Sequence, residues 1–151
     1  MTVINIPVVG GVATISDGDI VNVPALHTGN ITISGSGNYI VNFLGDVLVL
    51  QTFISQAGTS PHFTIPADTS LNMNFSLFSA DDVTFTVGDN VSIGNVIGAQ
   101  GDLSGTFGHS VTTGGWDSEE TDSFALTFAS DANIEGAILG SNSGPNTLEV
   151  G

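Results

Sequence analysis

Residues 71–75 read Leu-Asn-Met-Asn-Phe and residues 83–87 read Val-Thr-Phe-Thr-Val. In both segments apolar residues alternate with Asn or Thr, which is the period of a β-strand with one buried face. The same alternation recurs in segments 21–23, 31–33, 41–43, 63–65 and 126–128. No segment keeps a period of 3.6 residues. The sequence therefore predicts an all-β protein.

Turn-forming residues separate the predicted strands at intervals of about 8 to 12 residues. Examples are Asp17-Gly18-Asp19 and Gly88-Asp89, where glycine permits a positive φ and Asp bonds to nearby backbone. This spacing fits a β-solenoid or a jelly-roll-like β-sandwich, and the sequence leaves both open. Segment 40–54 is rich in Val, Leu and Phe and predicts buried strands, with a short helix as the alternative. A chain of 151 residues is expected to form a single domain.

The N-terminal residues 1–11 are predicted to form a strand-like arm that precedes the all-β domain at 12–151. Its apolar residues are candidates for an assembly contact, and Gly10-Gly11 would act as a hinge. The arm either completes the protein's own sheet or joins the sheet of a neighbouring copy. Lys and Pro usually protect edge strands, and this chain has no Lys and five Pro. The candidate assembly residues are Val3, Ile4, Ile6, Val8 and Val9.

The charge is one-sided, with 15 acidic residues, no Lys or Arg, and a formal net charge of −15. Partners rich in phosphate need cationic side chains, so nucleic acid and anionic lipid are disfavoured. Copies of the chain would repel one another unless salt or divalent cations screen their charge.

Cysteine is absent, which removes disulfides and thiolate chemistry. No apolar run approaches the roughly 20 residues of a membrane helix. An extracellular location is expected. The alternative explanation of the acidic charge is drift in an acidic or salt-adapted proteome.

The densest acidic cluster contains Asp117, Glu119, Glu120 and Asp122. Calcium binds several oxygen ligands, and these carboxylates could supply them. The spacing is not that of an EF-hand, because no central Gly and no closing bidentate Glu are present. A solvated acidic loop is the alternative to a calcium site.

Trp116 precedes that cluster and is either a core anchor or an exposed platform for a sugar ring or another subunit. The three histidines, His27, His62 and His109, are expected at the surface or in turns, since none has a partner at a metal-ligand spacing. No nucleophile elbow, phosphate loop or Ser-His-Asp order is present. The sequence therefore predicts no catalytic residues and no enzyme activity.

Segments 89–115 and 131–144 share a pattern of Ile, Asn and Gly, as in Ser-Ile-Gly-Asn-Val-Ile-Gly-Ala and Asn-Ile-Glu-Gly-Ala-Ile-Leu-Gly. Together with the Asn-containing segment 71–75, they resemble the choice-of-anchor A family of bacterial surface domains, over about Leu71 to Gly144. The family's Ala-Pro-Asn is absent from both copies. The resemblance implies a cell-surface or matrix protein with adhesive duties and no catalytic residues.

A second resemblance, to β-helical ice-binding domains, rests on the same Gly- and Thr-rich segments. Ice binding requires a regular array of Thr, and the Thr of this sequence do not recur at a fixed interval. The expected function is a self-assembling structural subunit of a fibre, surface layer or biofilm matrix. The alternative is a calcium-dependent adhesive or glycan-binding module.

Overall fold

The computed structural model describes all 151 residues as a parallel β-solenoid of about seven turns in a single domain. It contains no helix, so the all-β prediction is confirmed and the open choice between solenoid and sandwich is decided for the solenoid. Its strands are β1 (Val3–Asn5), β2 (Val9–Ile15), β3 (Asp19–Val23), β4 (Thr28–Gly35), β5 (Gly37–Phe43), β6 (Val47–Ser55), β7 (Thr59–Ile65), β8 (Leu71–Ser76), β9 (Val83–Val87), β10 (Val96–Ile97), β11 (Asp102–Phe107), β12 (Thr112–Thr113), β13 (Trp116–Asp117), β14 (Ser123–Phe128), β15 (Asn133–Ile134), β16 (Ile138–Leu139) and β17 (Asn146–Val150).

Two parallel sheets form the main faces of the solenoid. The front sheet has the order β1-β3-β5-β7-β9-β11-β14-β17, and the back sheet has the order β16-β13-β10-β8-β6-β4-β2. A two-stranded sheet of β12 and β15 adds a third face near the C-terminus. Each turn of the chain places one strand in the front sheet before it crosses to the back sheet.

The front sheet stacks its turns without any register shift. From Val21 to Leu148, partner residues in adjacent strands are 20, 22, 22, 20, 21 and 22 positions apart. The variation in sequence interval is absorbed by the corners, where loops differ in length. Because side chains alternate between faces, every second residue forms a column inside the solenoid and the intervening residues form columns on its surface.

The core is one cluster of 33 buried hydrophobic residues between the sheets. Aromatic rings run along its centre, with neighbouring centroids between 4.3 and 6.5 Å apart in stacked, tilted and edge-to-face pairs. Such pairs add stability beyond the burial of their area. The aromatic column consists of Phe43, Phe53, Phe63, Phe75, Phe85, Phe107, Trp116 and Phe128.

Five corners share one hydrogen bond, in which Oδ1 of an Asp or Asn accepts a backbone N–H of the next turn at 2.8 to 2.9 Å. The donor always follows a glycine, and a Cβ on that glycine would collide with the accepting side chain. Carboxylates here are acceptors for backbone groups and need no basic partner. The pairs, acceptor first, are Asp17 with Asn38, Asn74 with Asn95, Asp82 with Asp102, Asp89 with His109 and Asn95 with Gly115.

The N-terminal segment is the first turn of the solenoid. Strand β1 pairs with β3 in the protein's own sheet, which is the first of the two arrangements expected for the arm. The backbone N–H groups of Ser16 and Thr2 bond to the carboxylate of Asp19 and hold its pKa below the usual value.

Gly10 and Gly11, where a hinge was expected, lie within β2, and Gly11 pairs with Ile31. A Cβ at Gly11 would lie 2.8 Å from a methyl group of Ile6, so glycine serves close packing there. Among the arm residues, Ile6 is buried and Ile4 is partly buried, whereas Val3, Val8 and Val9 are exposed.

Segment 40–54 forms strands, as predicted, but it is not buried throughout. The pairing of β6 with β8 shifts register between Val47 and Gln51, which makes a bulge. The bulge turns Leu48, Val49 and Leu50 outward, and each is more than half exposed. The apolar run therefore reflects an irregular surface feature as well as the core.

Candidate binding face

The outer surface of the front sheet carries the most regular arrangement of polar side chains in the molecule. One outward column reads Asn5, Asn22, Asn42, Thr64, Thr86, Thr106, Thr127 and Glu149. The parallel column two residues earlier reads Val3, Ile20, Ile40, His62, Thr84, Ser104, Ala125 and Thr147. We call the part from β9 to β14 the hydroxyl ladder, formed by Thr84, Thr86, Ser104, Thr106 and Thr127.

The Asn half of this column is satisfied within the protein. The Nδ2 of Asn22 donates to Oδ1 of Asn5 at 3.1 Å, and the Nδ2 of Asn42 donates to Oδ1 of Asn22 at 3.3 Å. In the hydroxyl ladder only Thr86 has a protein partner, the Nε2 of His62 at 2.9 Å. The other ladder hydroxyls make no hydrogen bond within the protein and are free to bind water or a ligand.

The two columns are almost free of charge, although the chain has a net charge of −15. Their ionisable groups are His62 and Glu149. Asp82 and Asp102 lie at the side of the ladder, where Asp82 accepts the N–H of Asp102 and Asp102 accepts the hydroxyl of Ser123. The hydroxyl ladder itself therefore carries no ionised side chain, whereas Asp102 begins β11 in the next outward column and Asp82 directly precedes β9.

The structure does not bring the predicted calcium ligands together. No group of three or more His, Asp and Glu side chains is placed to hold a metal ion. Asp117 is the exposed last residue of β13, and Glu119, Glu120 and Asp122 are exposed in the loop that follows. These four carboxylates do not converge, because successive side chains in a turn point in different directions.

Trp116 is a core residue, so it offers no platform to a ligand. Only 1% of its surface is exposed, and its ring contacts Phe85, Phe107 and Phe128. Its indole N–H donates to Oγ1 of Thr113 at 3.0 Å. The exposed-platform alternative is therefore corrected in favour of the core anchor.

His27 follows a turn, which is the second of the two expected placements, and it is completely buried. Its Nδ1 lies 2.7 Å from the carbonyl oxygen of Pro7, and its Nε2 lies 2.9 Å from that of Gly29. Carbonyl oxygens only accept hydrogen bonds, so the ring nitrogen that carries a proton is the donor in these contacts. His27 connects the first turn of the solenoid to the second. His62 and His109 are exposed, as expected.

Replacing His27 by alanine is expected to lower the free energy of unfolding by about 2 kcal/mol or more, because it leaves a cavity in the core and removes the ring that bonds to buried backbone carbonyls. Urea titration followed by circular dichroism measures the change. The matched control is His109→Ala, whose exposed side chain should leave stability within about 0.5 kcal/mol of wild type. Equal effects of the two substitutions would contradict the connecting role of His27.

The concave features of the surface are open grooves and not enclosed pockets. The largest has a volume of about 580 Å³ and runs beside the β6 bulge, past Leu48, Asn72 and Glu135. A groove of about 340 Å³ on the front sheet is lined in part by His62 and Asp82. The front-sheet groove also holds Ser60, but no hydrogen bond joins Ser60 to His62 or His62 to Asp82. The Nε2 of His62 bonds to Thr86, and the Ser60 hydroxyl accepts the backbone N–H of Asp82.

No protein-family model, curated protein or solved structure matches this chain. Nor does the fold contain a helix long and apolar enough to cross a membrane. The chemistry of its own faces and edges is what indicates its function.

Sequence reasoning missed the hydroxyl ladder because it looked for Thr at a fixed interval. Thr64, Thr86, Thr106 and Thr127 are separated by 22, 20 and 21 positions, yet they are direct partners in adjacent strands. The alternation of buried and exposed residues around each Thr could have revealed the ladder. Thr64, Thr86 and Thr127 each follow a core residue by one position, and aligning the segments on Phe63, Phe85 and Leu126 would have aligned these Thr as well.

Proposed function

We propose that this protein is a non-enzymatic structural subunit whose copies stack end to end into an extracellular fibre or matrix. The observation that carries the proposal is the pair of open strand edges, one at each end of the solenoid. Strand β1 has a partner only in β3, and β17 has a partner only in β14. Unpaired backbone groups on such edges accept a further strand.

The two ends match in side-chain chemistry as well as in backbone. Leu148 and Val150 lie in the inward columns of the front sheet and are 46% and 54% exposed at the unpaired edge of β17. Ile4 and Ile6 begin the same columns at the other end. A β17 edge placed against the β1 edge of the next copy would bury these apolar side chains and continue the core.

The charge distribution favours head-to-tail stacking over contacts between two N-terminal ends or two C-terminal ends. The first 45 residues contain two acidic residues, Asp17 and Asp19, whereas residues 101–151 contain eight. The acid-poor end would therefore meet the acid-rich end of another copy. Repulsion remains, so we expect calcium or another divalent cation to promote stacking by screening.

The alternative function, a calcium-dependent adhesive or glycan-binding module, has less support. Trp116 is buried and the acidic cluster is dispersed, which removes the two features that favoured it. The resemblance to surface domains supports an extracellular location for either function. A calcium requirement for binding remains a proposal without a defined ligand set.

The test is electron microscopy and sedimentation of the 151-residue chain with calcium and with chelator. We expect filaments or a concentration-dependent series of oligomers, favoured by calcium. Leu148→Lys should disperse them by placing a charge in the junction, whereas Leu50→Lys adds the same charge to the lateral bulge and should leave assembly intact. A monomer at every protein and calcium concentration, or equal effects of the two substitutions, would refute end-to-end stacking.

A further inference from the structure

We infer that one side-chain hydrogen bond fixes the register in which copies stack, with Asn5 of one copy as the donor and Glu149 of the preceding copy as the acceptor. The inference rests on the end-to-end stacking proposed above and adds the residues that select one register. A junction held only by apolar side chains could slip by two residues, because such a shift keeps the apolar side chains of both strands pointing inward. A polar contact at one position removes that freedom.

The row of asparagine side chains on the front sheet ends in an unused donor. The Nδ2 of Asn42 donates to Asn22, and the Nδ2 of Asn22 donates to Oδ1 of Asn5 at 3.1 Å. Each amide therefore donates toward the N-terminal end of the solenoid. The side chain of Asn5 is exposed, and its Nδ2 has no acceptor within the protein. The acceptor that would complete the row must come from a strand placed before β1.

The other end of the same outward column supplies an acceptor. The column that begins at Asn5 runs through the front sheet to Thr127 and ends at Glu149. Glu149 is exposed, and its carboxylate makes no hydrogen bond or ion pair within the protein. When β17 of one copy precedes β1 of the next in register, Glu149 takes the position before Asn5. A carboxylate accepts hydrogen bonds without donating any, and N–H groups bond more strongly to a charged acceptor than to a neutral one.

The open backbone groups at the two edges match in the same register. The N–H of Gly151 donates to β14, and the N–H of Ile6 donates to β3. Successive residues of a strand direct their N–H and C=O groups to opposite sides. The backbone groups of Leu148 therefore face away from β14, and those of Asn5 face away from β3. With Leu148 opposite Ile4, the carbonyl of Leu148 accepts the N–H of Asn5, as in the other parallel pairs of this sheet.

The number of strands determines the spacing of the stack. The front sheet has eight strands and the back sheet has seven, so a continuous front sheet leaves one strand position of the back sheet unfilled at each junction. The contact between copies is then the pair β17 and β1 with its side chains. Eight strands at about 4.7 to 4.9 Å give an axial repeat of about 38 Å. A stack that closed the back sheet instead would repeat at about 34 Å.

The experiment is a double-mutant cycle, measured as the protein concentration at which half of the chain sediments. Sodium chloride at one fixed concentration screens the charge, and chelator removes divalent cations that could bridge two carboxylates. Asn5→Asp is expected to raise this concentration about tenfold, because it places a second carboxylate opposite Glu149. The substitution keeps the oxygen that accepts the amide of Asn22, and circular dichroism melting checks that the fold is retained.

The second substitution should reverse the effect of the first. Adding Glu149→Asn to the Asn5→Asp protein is expected to bring the concentration within about threefold of wild type, because the amide at position 149 can donate to the carboxylate at position 5. The matched control is Asn74→Asp in β8, which adds the same charge far from both ends and keeps the bond to the N–H of Asn95. It should also stay within about threefold of wild type.

Cross-linking reads the register directly, since the chain contains no Cys. Val3 and Thr147 begin and end one outward column, so they face each other across the inferred junction. Neighbouring parallel strands bring Cα atoms within the roughly 4.4 to 6.8 Å that a disulfide spans, whereas a shift of two residues does not. An oxidised mixture of the single variants Val3→Cys and Thr147→Cys should give the mixed dimer in excess over dimers of either variant.

Equal effects of Asn5→Asp and Asn74→Asp, or no recovery in the double variant, would overturn the inference. A mixed dimer no more abundant than the dimers of either cysteine variant, or an axial repeat near 34 Å in electron micrographs, would overturn it as well. Filaments observed together with any of these results would leave end-to-end stacking in place and reject only the register. A wild type that stays monomeric, with no cross-link between the two ends, would reject both.

Discussion

Replacing Phe63 by alanine is expected to lower the free energy of unfolding by about 3 to 5 kcal/mol. Phe63 is fully buried, and its ring centroid lies 4.9 to 5.0 Å from those of Phe53, Phe75 and Phe85. These rings belong to strands of both main sheets, so the substitution leaves a cavity between several turns at once. For a domain of this size the loss corresponds to a decrease in melting temperature of roughly 6 to 20 °C.

Calorimetry and urea titration measure this loss, with Phe78→Ala as the matched control. Phe78 is 55% exposed, and the same truncation there should change stability by no more than about 0.5 kcal/mol. A small effect at Phe63 would mean that the solenoid turns are stabilised independently of the aromatic column. Because stacked repeats depend on their neighbours, we expect the Phe63 variant to lose protection in the turns on either side as well.

Replacing Gly35 by alanine is expected to destabilise the protein by about 3 kcal/mol or more, through strain and a backbone collision. Gly35 has a φ of 113°, which L side chains rarely adopt. A Cβ there would lie 2.7 Å from the backbone nitrogen of Ile15 and would also collide with its carbonyl group. The backbone of β2 cannot move away without breaking its pairing with β4.

Gly18→Ala separates strain from collision in this experiment. Gly18 also has a positive φ, 87°, but a Cβ there would meet nothing within 4 Å. We expect Gly18→Ala to cost about 1 kcal/mol, from backbone strain alone. Similar melting temperatures for the two variants would show that β2 and β4 separate easily at Gly35.

Alternation in the sequence was sufficient to predict most of the strands. Segments 71–75 and 83–87 lie in β8 and β9, and their apolar residues are buried as the period of two requires. The choice of a solenoid was beyond the sequence, because short alternating strands with turns between them suit several folds. In the solenoid each strand pairs in parallel with residues about twenty positions away. Local alternation of apolar and polar residues does not determine which strands pair.

The placements left open at individual residues share a physical cause. Trp116 and His27 stand next to turn residues in sequence, which left both a buried and an exposed position open for each. In a solenoid a corner residue can still point inward, and each of these is covered by the next turn and satisfied by a buried acceptor. Residues 118–122 form the connection between β13 and β14, and the proximity of the acidic residues in sequence did not bring their carboxylates together in space.

The hydrogen-bonded corners have a consequence for how this protein can change over evolution. The corner position requires an oxygen acceptor of one shape, which Asp and Asn both supply, and the five corners use three Asp and two Asn. An exchange between the two residues alters the net charge by one while the backbone bond is kept. Natural selection could therefore adjust the total charge to the salinity or calcium content of the surroundings one corner at a time, with the architecture unchanged.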